Sequence, residues 1–313
     1  MKSGPLKKLF RLTKSIKKKK FSALLLIISI LTSYIFGVLS FFILEKTIIQ
    51  GDVVYEQGIN LSKIQSKVLP DEGYKIKVKW QDLGERLIQD GVIDEKKIAQ
   101  AVFGTDEIPK EFSKYLDGSK QREIIINNET AQFWVDLFWG LGLANKNPIL
   151  EGGPMAEGGN TANYASTGGW TLGKQDAMSY YSKFSYIQLS AEQQKIVQEI
   201  TDKVYRPCCG NPTSFPDCNH GMAALAIIEL LVSQGKSKKD IYKDLLAFNS
   251  YWFPQTYLDI AYHFEKAGRD YARVPAEQIL SKTFSSAMGY SAIKRDIGEI
   301  AWPALGGAGS CGA

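Results

Sequence analysis

Residues 205–234, YRPCCGNPTSFPDCNHGMAALAIIELLVSQ, join a proline- and cysteine-rich loop to a long apolar segment. The apolar segment from Gly221 to Gln234 has the length of a core helix, and Gly235 stands where a glycine commonly ends a helix. The prolines of the loop interrupt regular structure before that helix begins. This stretch therefore predicts a helical domain with a fixed loop at the start of an apolar helix.

Helical patterns recur on both sides of this stretch, whereas strand patterns are few. Residues 79–103 predict two short amphipathic helices, and residues 129–145 predict a strongly apolar core helix. A capping box at Ser190 starts a helix that is expected to stop at Pro207, and further helices are predicted after Ser237 and Pro254. The expected fold class is mainly α.

The N-terminal residues predict a membrane anchor. Phe21 to Leu44 form a run of 24 residues without a charge, which as a helix would be roughly 36 Å long and would cross a bilayer core of about 30 Å. Residues 1–20 carry nine basic side chains and no acidic one, a pattern that stays on the cytoplasmic side. A cleaved signal peptide is the alternative, but its apolar region is usually only about 7 to 15 residues long. We therefore expect a single-pass protein of the cell membrane with an extracytoplasmic C-terminal domain.

These features divide the chain into segments of different composition. They are a basic cytoplasmic tail (1–20), a transmembrane helix (21–44), a linker or stalk (45–72), an exported helical domain (73–300) with the cysteine loop (205–221), and a flexible glycine-rich tail (301–313). Within the exported domain, the glycine-rich residues 151–174 predict a long loop.

The charge balance argues against nucleic acid as a partner. Beyond the basic tail, 29 basic residues face 33 acidic ones, so the folded part has no basic excess. The stretch from Gly168 to Lys174 matches part of a phosphate-binding loop, but Gln175 replaces the Ser or Thr that would hold Mg²⁺. We therefore expect neither nucleic acid nor nucleotide. The expected partners are the lipid bilayer and another exported or membrane protein that handles metal ions or thiols.

The loop at 205–221 holds three of the four cysteines and one of the two histidines. Cys208, Cys209, Cys218 and His220 offer thiolates and an imidazole, a donor set that suits copper, zinc or iron. The helix that follows favours a thiolate at its N-terminus, which raises the metal affinity and the reactivity of a cysteine there. The sequence therefore predicts a soft-metal site in this loop, with Cys311 of the mobile tail completing it.

Two further side chains are weaker candidates for the same site. Met222 extends the loop to a Cys-x-His-x-Met alternation, which favours copper slightly. His263 is the only other imidazole of the chain, and it lies in a helical pattern where a packed histidine is the ordinary expectation. A haem-attachment C-x-x-C-H sequence is absent, so covalent haem is not expected.

Two other interpretations of the cysteines stay open. In the first, the chain is a membrane-tethered thiol-disulfide oxidoreductase in which Cys208, Cys209, Cys218 and Cys311 are the redox candidates. In the second, two disulfides staple a structural or interaction protein. No catalytic group is firmly assigned, so enzymatic activity is left open.

Several strings resemble an uncharacterised family of membrane-anchored bacterial proteins. They include YRPCCGNPTSFPDCNHGM at 205–222, YASTGGWTLGK at 164–174 and the glycine-rich ending with Cys311. This resemblance implies no activity. A weaker similarity, over about 50 residues, is to the helical-hairpin thiol oxidoreductases of cytochrome c maturation, because Arg206 precedes the cysteines and a Gly-Lys-Ser turn at 235–237 joins two helices. The adjacent pair Cys208-Cys209 departs from the C-x-x-C of that family.

Overall fold

The computed structural model describes residues 28, 31–34, 55–56, 58–118 and 123–303. The chain divides into two compact units, Met1–Val53 and Val54–Ala313. In the first unit the described residues, Ile28 and 31–34, are helical. The elements below belong to the second unit.

The structure corrects the prediction of a membrane anchor. Among the residues that it describes, no helix combines the length and the apolar character that a bilayer crossing requires. Most of the run from Phe21 to Leu44 lies outside the described residues, as do the tail 1–20 and residues 45–54. An uncharged run alone does not establish a span, because the backbone groups of a membrane-crossing segment must also be paired, as they are in a continuous helix of sufficient length. The transmembrane helix, the single-pass topology and the cell-membrane localisation are therefore not supported.

The second unit is mainly helical, which confirms the expected class. Its described α-helices are α1 Leu61–Val68, α2 Leu83–Gln89, α3 Glu95–Ile98, α4 Lys110–Ser113, α5 Ala131–Ala144, α6 Pro148–Gly152, α7 Pro154–Glu157, α8 Ala191–Thr201, α9 Asn219–Ser233, α10 Lys238–Trp252, α11 Pro254–Lys266, α12 Ala276–Ile279, α13 Lys282–Ser285 and α14 Ala287–Ile297. A π-helix continues α3 over Ala99–Phe103, and 3₁₀ turns lie at Thr161–Asn163, Ala177–Ser179 and Tyr271–Arg273.

Two small antiparallel pairs are the described strands. β1 (Tyr55–Glu56) pairs with β2 (Ile59–Asn60), and β3 (Tyr74–Ile76) pairs with β4 (Ile124–Ile126). The second pair joins parts of the chain about fifty residues apart in sequence, with Tyr74 opposite Ile126. These strands hold the first helices against the rest of the unit.

The centre of the core is the packing of α5 against α9. Both helices are apolar around nearly their whole circumference, as expected for helices buried on all sides. At their contact, a Cβ on Gly142 would lie 2.3 Å from the carbonyl oxygen of Met222. Gly142 therefore permits an approach of the two backbones that a larger residue would prevent.

The predicted helix starts agree with the observed caps. Ser190 and Gln193 form a complete capping box on α8, and the Ser237 side chain accepts from the Asp240 amide at the start of α10. The expected stop at Pro207 is too late, since α8 ends at Thr201. The loop beyond folds back on itself and competes for the carbonyls there, because the Ser214 amide donates to the Thr201 oxygen.

Residues predicted as linker or loop contain regular structure. Within 45–72, α1 buries Leu61, Ile64 and Val68 along one face. Within the glycine-rich residues 151–174 lie the end of α6, all of α7 and a 3₁₀ turn. In both segments, a few buried apolar side chains among polar residues pack the helices against the core, although the composition predicted a linker and a loop.

Candidate metal centre

The cysteine loop connects α8 to α9 and is fastened to the C-terminal helices. The Tyr205 amide donates to the carbonyl of Leu280 across 2.8 Å, and the Ala287 amide donates to the carbonyl of Cys209 across 2.9 Å. Two distant segments therefore hold the backbone on either side of the first cysteine pair.

Arg206 is the centre of the loop. Its side chain is only 1% exposed, and its Nε donates to the sulfur of Cys218 across 3.1 Å. The two terminal nitrogens donate to the carbonyls of Asn211 and Phe215 and to the carboxylate of Asp217, the last across 2.8 Å. A buried guanidinium is tolerable when its donors are paired in this way. Arg206 therefore organises the loop around a single buried positive charge.

Gly221 makes room for that guanidinium at the start of α9. A Cβ at this position would lie 2.4 Å from a terminal nitrogen of Arg206 and 2.5 Å from its central carbon. Both atoms belong to a buried group that several hydrogen bonds hold in place. Displacement of the guanidinium would therefore cost the free energy of those hydrogen bonds. The glycine is thus part of the site and not only a helix residue.

The sulfurs of Cys208, Cys209 and Cys218 lie within 4.8 Å of one another. The Cys208 and Cys218 sulfurs are 3.3 Å apart, and the Cys209 sulfur is 3.8 Å from a carboxylate oxygen of Asp217. None of these three cysteines is in a disulfide. The disulfide prediction is therefore wrong for the cysteines that the structure describes: the loop brings the sulfurs together without bonding them.

Cys218 is the N-cap of α9, and its sulfur accepts from the Gly221 amide across 3.3 Å. Hydrogen bonds from Cys208 and Cys209, and then the charge of Arg206, hold the pKa of the Cys218 thiol well below its usual range although burial opposes them. The helix N-terminus acts in the same direction. Cys218 is therefore the thiolate of the cluster.

The other two thiols keep their protons while Cys218 is ionised. Hydrogen bonds to Cys209 and Cys218, together with burial, raise the pKa of Cys208. For Cys209 the hydrogen bond with Cys208 lowers the pKa, but the bond to Cys218 and burial outweigh it and raise the pKa to about 11. The free cluster thus carries one negative sulfur that two neighbouring thiols solvate.

His220 follows the cluster in sequence but points elsewhere. It is 8% exposed, and its ring packs against Phe253 and Trp252 with centroid distances of 4.5 and 5.4 Å. Burial lowers its pKa to about 4. Among the described residues, the group of potential ligands within 4.8 Å contains the three sulfurs and not this imidazole. Met222 is fully buried in the core between α5 and α9.

The remaining predicted site residues lie apart from the loop or outside the described residues. His263 is on α11, where its Nδ1 is 3.1 Å from the Asp296 carboxylate and its ring contacts Phe264 and Phe284. Cys311 lies outside the described residues, in the predicted tail 301–313.

Sequence reasoning missed Arg206 and Asp217 as parts of the site. Asp217 accepts from Arg206 and also from the Asn211 side-chain amide across 2.8 Å, so it closes the loop around the guanidinium. The sequence signal for their role was that Arg206 and Asp217 are the charged residues of an otherwise uncharged cysteine-rich loop. Their role in the site depends on the burial of the Arg206 side chain, which the local sequence does not predict.

The three sulfurs could hold one metal ion. With metal–thiolate bonds of about 2.3 Å, two sulfurs of a three-coordinate ion lie about 4 Å apart, which falls between the 3.3 Å separation of Cys208 and Cys218 and the 4.8 Å limit of the cluster. The buried guanidinium of Arg206 would offset part of the charge of three thiolates. In comparisons with known proteins, no protein-family model, curated protein or solved structure matches the chain.

Proposed function

We propose that Cys208, Cys209 and Cys218 bind one soft metal ion through their sulfurs. The observation that carries the proposal is the convergence of three free sulfurs within 4.8 Å in a loop that a buried arginine holds in place. Metal binding would displace the protons of Cys208 and Cys209, so that affinity would rise with pH. The function supported best is metal binding and not a catalytic reaction.

The donor set favours Cu(I). Three thiolates without an available imidazole form a soft, low-coordinate site, which Cu(I) accepts readily. Zinc would require a fourth ligand, and among the described residues no His, Asp or Glu atom joins the three sulfurs within 4.8 Å. The His220 ring packs against Phe253, so this proposal does not include the imidazole that the sequence predicted as a ligand.

Elemental analysis and competition titration of the full-length chain test this proposal. We expect one copper or zinc ion per chain, with Cu(I) bound more tightly than Zn²⁺ in competition with a chromophoric chelator. Cys218→Ser retains a helix cap but removes the thiolate, and it should lose the ion. His263→Gln is the matched control, because it removes a potential ligand outside the cluster and should keep the stoichiometry. A wild-type chain that takes up no ion would refute the proposal.

A second candidate, thiol–disulfide exchange, is favoured by the 3.3 Å separation of the Cys208 and Cys218 sulfurs. The Cys218 thiolate would attack a disulfide of a partner protein and release one partner thiolate. Cys208 would then lose its proton and attack the mixed disulfide at the Cys218 sulfur, which releases the second partner thiolate and leaves Cys208 and Cys218 oxidised. Metal-free protein that reduces a disulfide substrate, and a Cys208→Ser variant that traps the mixed disulfide, would favour this candidate over the first.

A further inference from the structure

A cavity of about 950 Å³ lies in the second unit between α10 and the segment 271–279. Its size is at the upper end of the range usual for small-molecule sites, about 300 to 1,000 Å³. None of the described cysteines lines it, so it is not part of the proposed metal centre. The apolar side chains of its lining, which we call the floor, include Val68, Leu246, Ala247, Val274, Pro275 and Ile279.

The charged side chains of the lining, which we call the rim, are mostly basic. Six of the lining residues are cationic and two are acidic. The cations are Lys67, Lys203, Lys238, Lys239, Lys243 and Arg273, and the acids are Glu199 and Glu277. A cavity lined by one sign of charge concentrates ligands of the opposite sign. The excess therefore selects for an anion.

Two of these cations remain available to a ligand. The other four are already paired: Lys203 with Glu199 and Glu277, Lys238 with Glu199, Lys67 with Glu265 and Asp270, and Arg273 with Asp270. By contrast, Lys239 and Lys243 are exposed, and neither forms an ion pair with any residue in the described ranges. They are four residues apart on α10, so they share one face of that helix.

Two tyrosines, Tyr74 and Tyr271, also line the cavity. The Lys243 ammonium lies 5.7 Å from the ring centroid of Tyr74, which also lines the cavity. Tyr271 is buried in the lining, and its hydroxyl has no hydrogen bond of ordinary geometry among the residues described. Burial raises the pKa of Tyr271, and the nearby Ser250 hydroxyl offsets this only in part.

We propose that this cavity binds an organic anion with an apolar body, with the anionic group at Lys239 and Lys243 and the body against the aliphatic and tyrosine floor. A small inorganic anion would leave the apolar floor exposed to water, and an uncharged apolar molecule would leave the two ammonium groups without an anionic partner. A medium-chain carboxylate satisfies both parts of the lining.

Calorimetric titration of the full-length chain with octanoate tests the proposal, with octanamide and acetate as ligands that lack the charge or the apolar body. We expect one saturable octanoate site per chain and much weaker binding of the other two. In the double variant Lys239→Gln with Lys243→Gln, affinity should fall about tenfold, as expected for the loss of two exposed ion pairs. The control double variant Lys96→Gln with Lys110→Gln removes the same charge from exposed positions that do not line the cavity, and it should bind like wild type.

A second variant tests the apolar part without changing the charge. Ala247→Phe would fill part of the floor and should abolish octanoate binding, while thermal denaturation verifies that the variant is folded. Absence of a saturable octanoate site in the wild-type chain would overturn the proposal. Equal affinity for octanoate and octanamide, or an unchanged affinity in the Lys239 and Lys243 double variant, would do so as well.

Discussion

The Nε of Arg206 donates to the sulfur of Cys218 across 3.1 Å in the interior of the loop. Neither group would be stable there alone, because a buried cation needs an anionic partner and a buried thiol otherwise keeps its proton. The pair fixes the position of the cluster and its charge at the same time. The first two predictions follow from this contact.

Replacement of Arg206 by Gln should raise the pKa of Cys218, since an opposite charge that favours the thiolate is lost. The variant should also be less stable by about 3 kcal/mol, because Asp217 loses its ion-pair partner. Thiolate absorbance during a pH titration measures the first effect, and chemical denaturation measures the second. Arg295→Gln, at an exposed position, is the control and should change neither quantity.

Gly221→Ala should damage the site although alanine normally stabilises a helix. The new Cβ would meet the Arg206 guanidinium at 2.4 Å and displace it from the Cys218 sulfur. We expect slower alkylation of Cys218 by iodoacetamide at neutral pH and a loss of stability on the order of 1 to 3 kcal/mol. Gly152→Ala, where a Cβ meets nothing within 4 Å, is the matched control. Equal behaviour of the two variants would show that the guanidinium is not held as tightly as the contacts indicate.

Glu229 should make the protein less stable as the pH rises from about 4.5 toward 8. It is fully buried on α9, where burial raises its pKa to about 8 although a hydrogen bond from the Asn147 side chain opposes this, and its second oxygen has no hydrogen-bond partner among the described residues. Because the folded chain holds this proton more tightly than the unfolded chain, the free energy of unfolding falls by about 1.4 kcal/mol per pH unit in that window.

The difference between wild type and Glu229→Gln isolates this effect from other carboxyl groups, such as Asp136, whose pKa burial raises to about 6. Denaturation curves at several pH values should show the variant gaining relative to wild type up to about pH 8, with a constant difference above it. A pH-independent difference would contradict the prediction.

His220→Gln should leave the ion stoichiometry unchanged, since the imidazole packs on Phe253 and is not among the clustered ligand atoms. Burial lowers the pKa of His220 to about 4, so the folded protein excludes a proton that the unfolded chain accepts below about pH 6.5. The wild type should therefore lose stability between pH 6.5 and 4, and the variant should lack this component. Elemental analysis and acid denaturation measure the two effects, and loss of the ion in this variant would make His220 a ligand.

Local patterns predicted much of the helical fold because caps and apolar periodicity act over a few residues. The capping box at Ser190 and the start of α10 after Ser237 depend on contacts three residues apart, so both could be predicted from sequence. The early end of α8 could not, because the Thr201 carbonyl is bonded by Ser214 from the far side of the loop. The anchor prediction, which was made from composition, is not supported, because no helix among the described residues is long and apolar enough to cross a bilayer.

For the candidate site, the chain sequence by itself determined the crowding of Cys208, Cys209 and Cys218 in one loop and the placement of Cys218 at a helix start. Only the tertiary structure decided which side chains join them. It directs His220 into an aromatic contact and brings Arg206 beneath Gly221 to the Cys218 sulfur. The physical reason is that the covalent chain sets how far apart the cysteines lie along the loop. By contrast, packing against distant parts of the chain sets the direction of a buried side chain and the charged groups that it contacts.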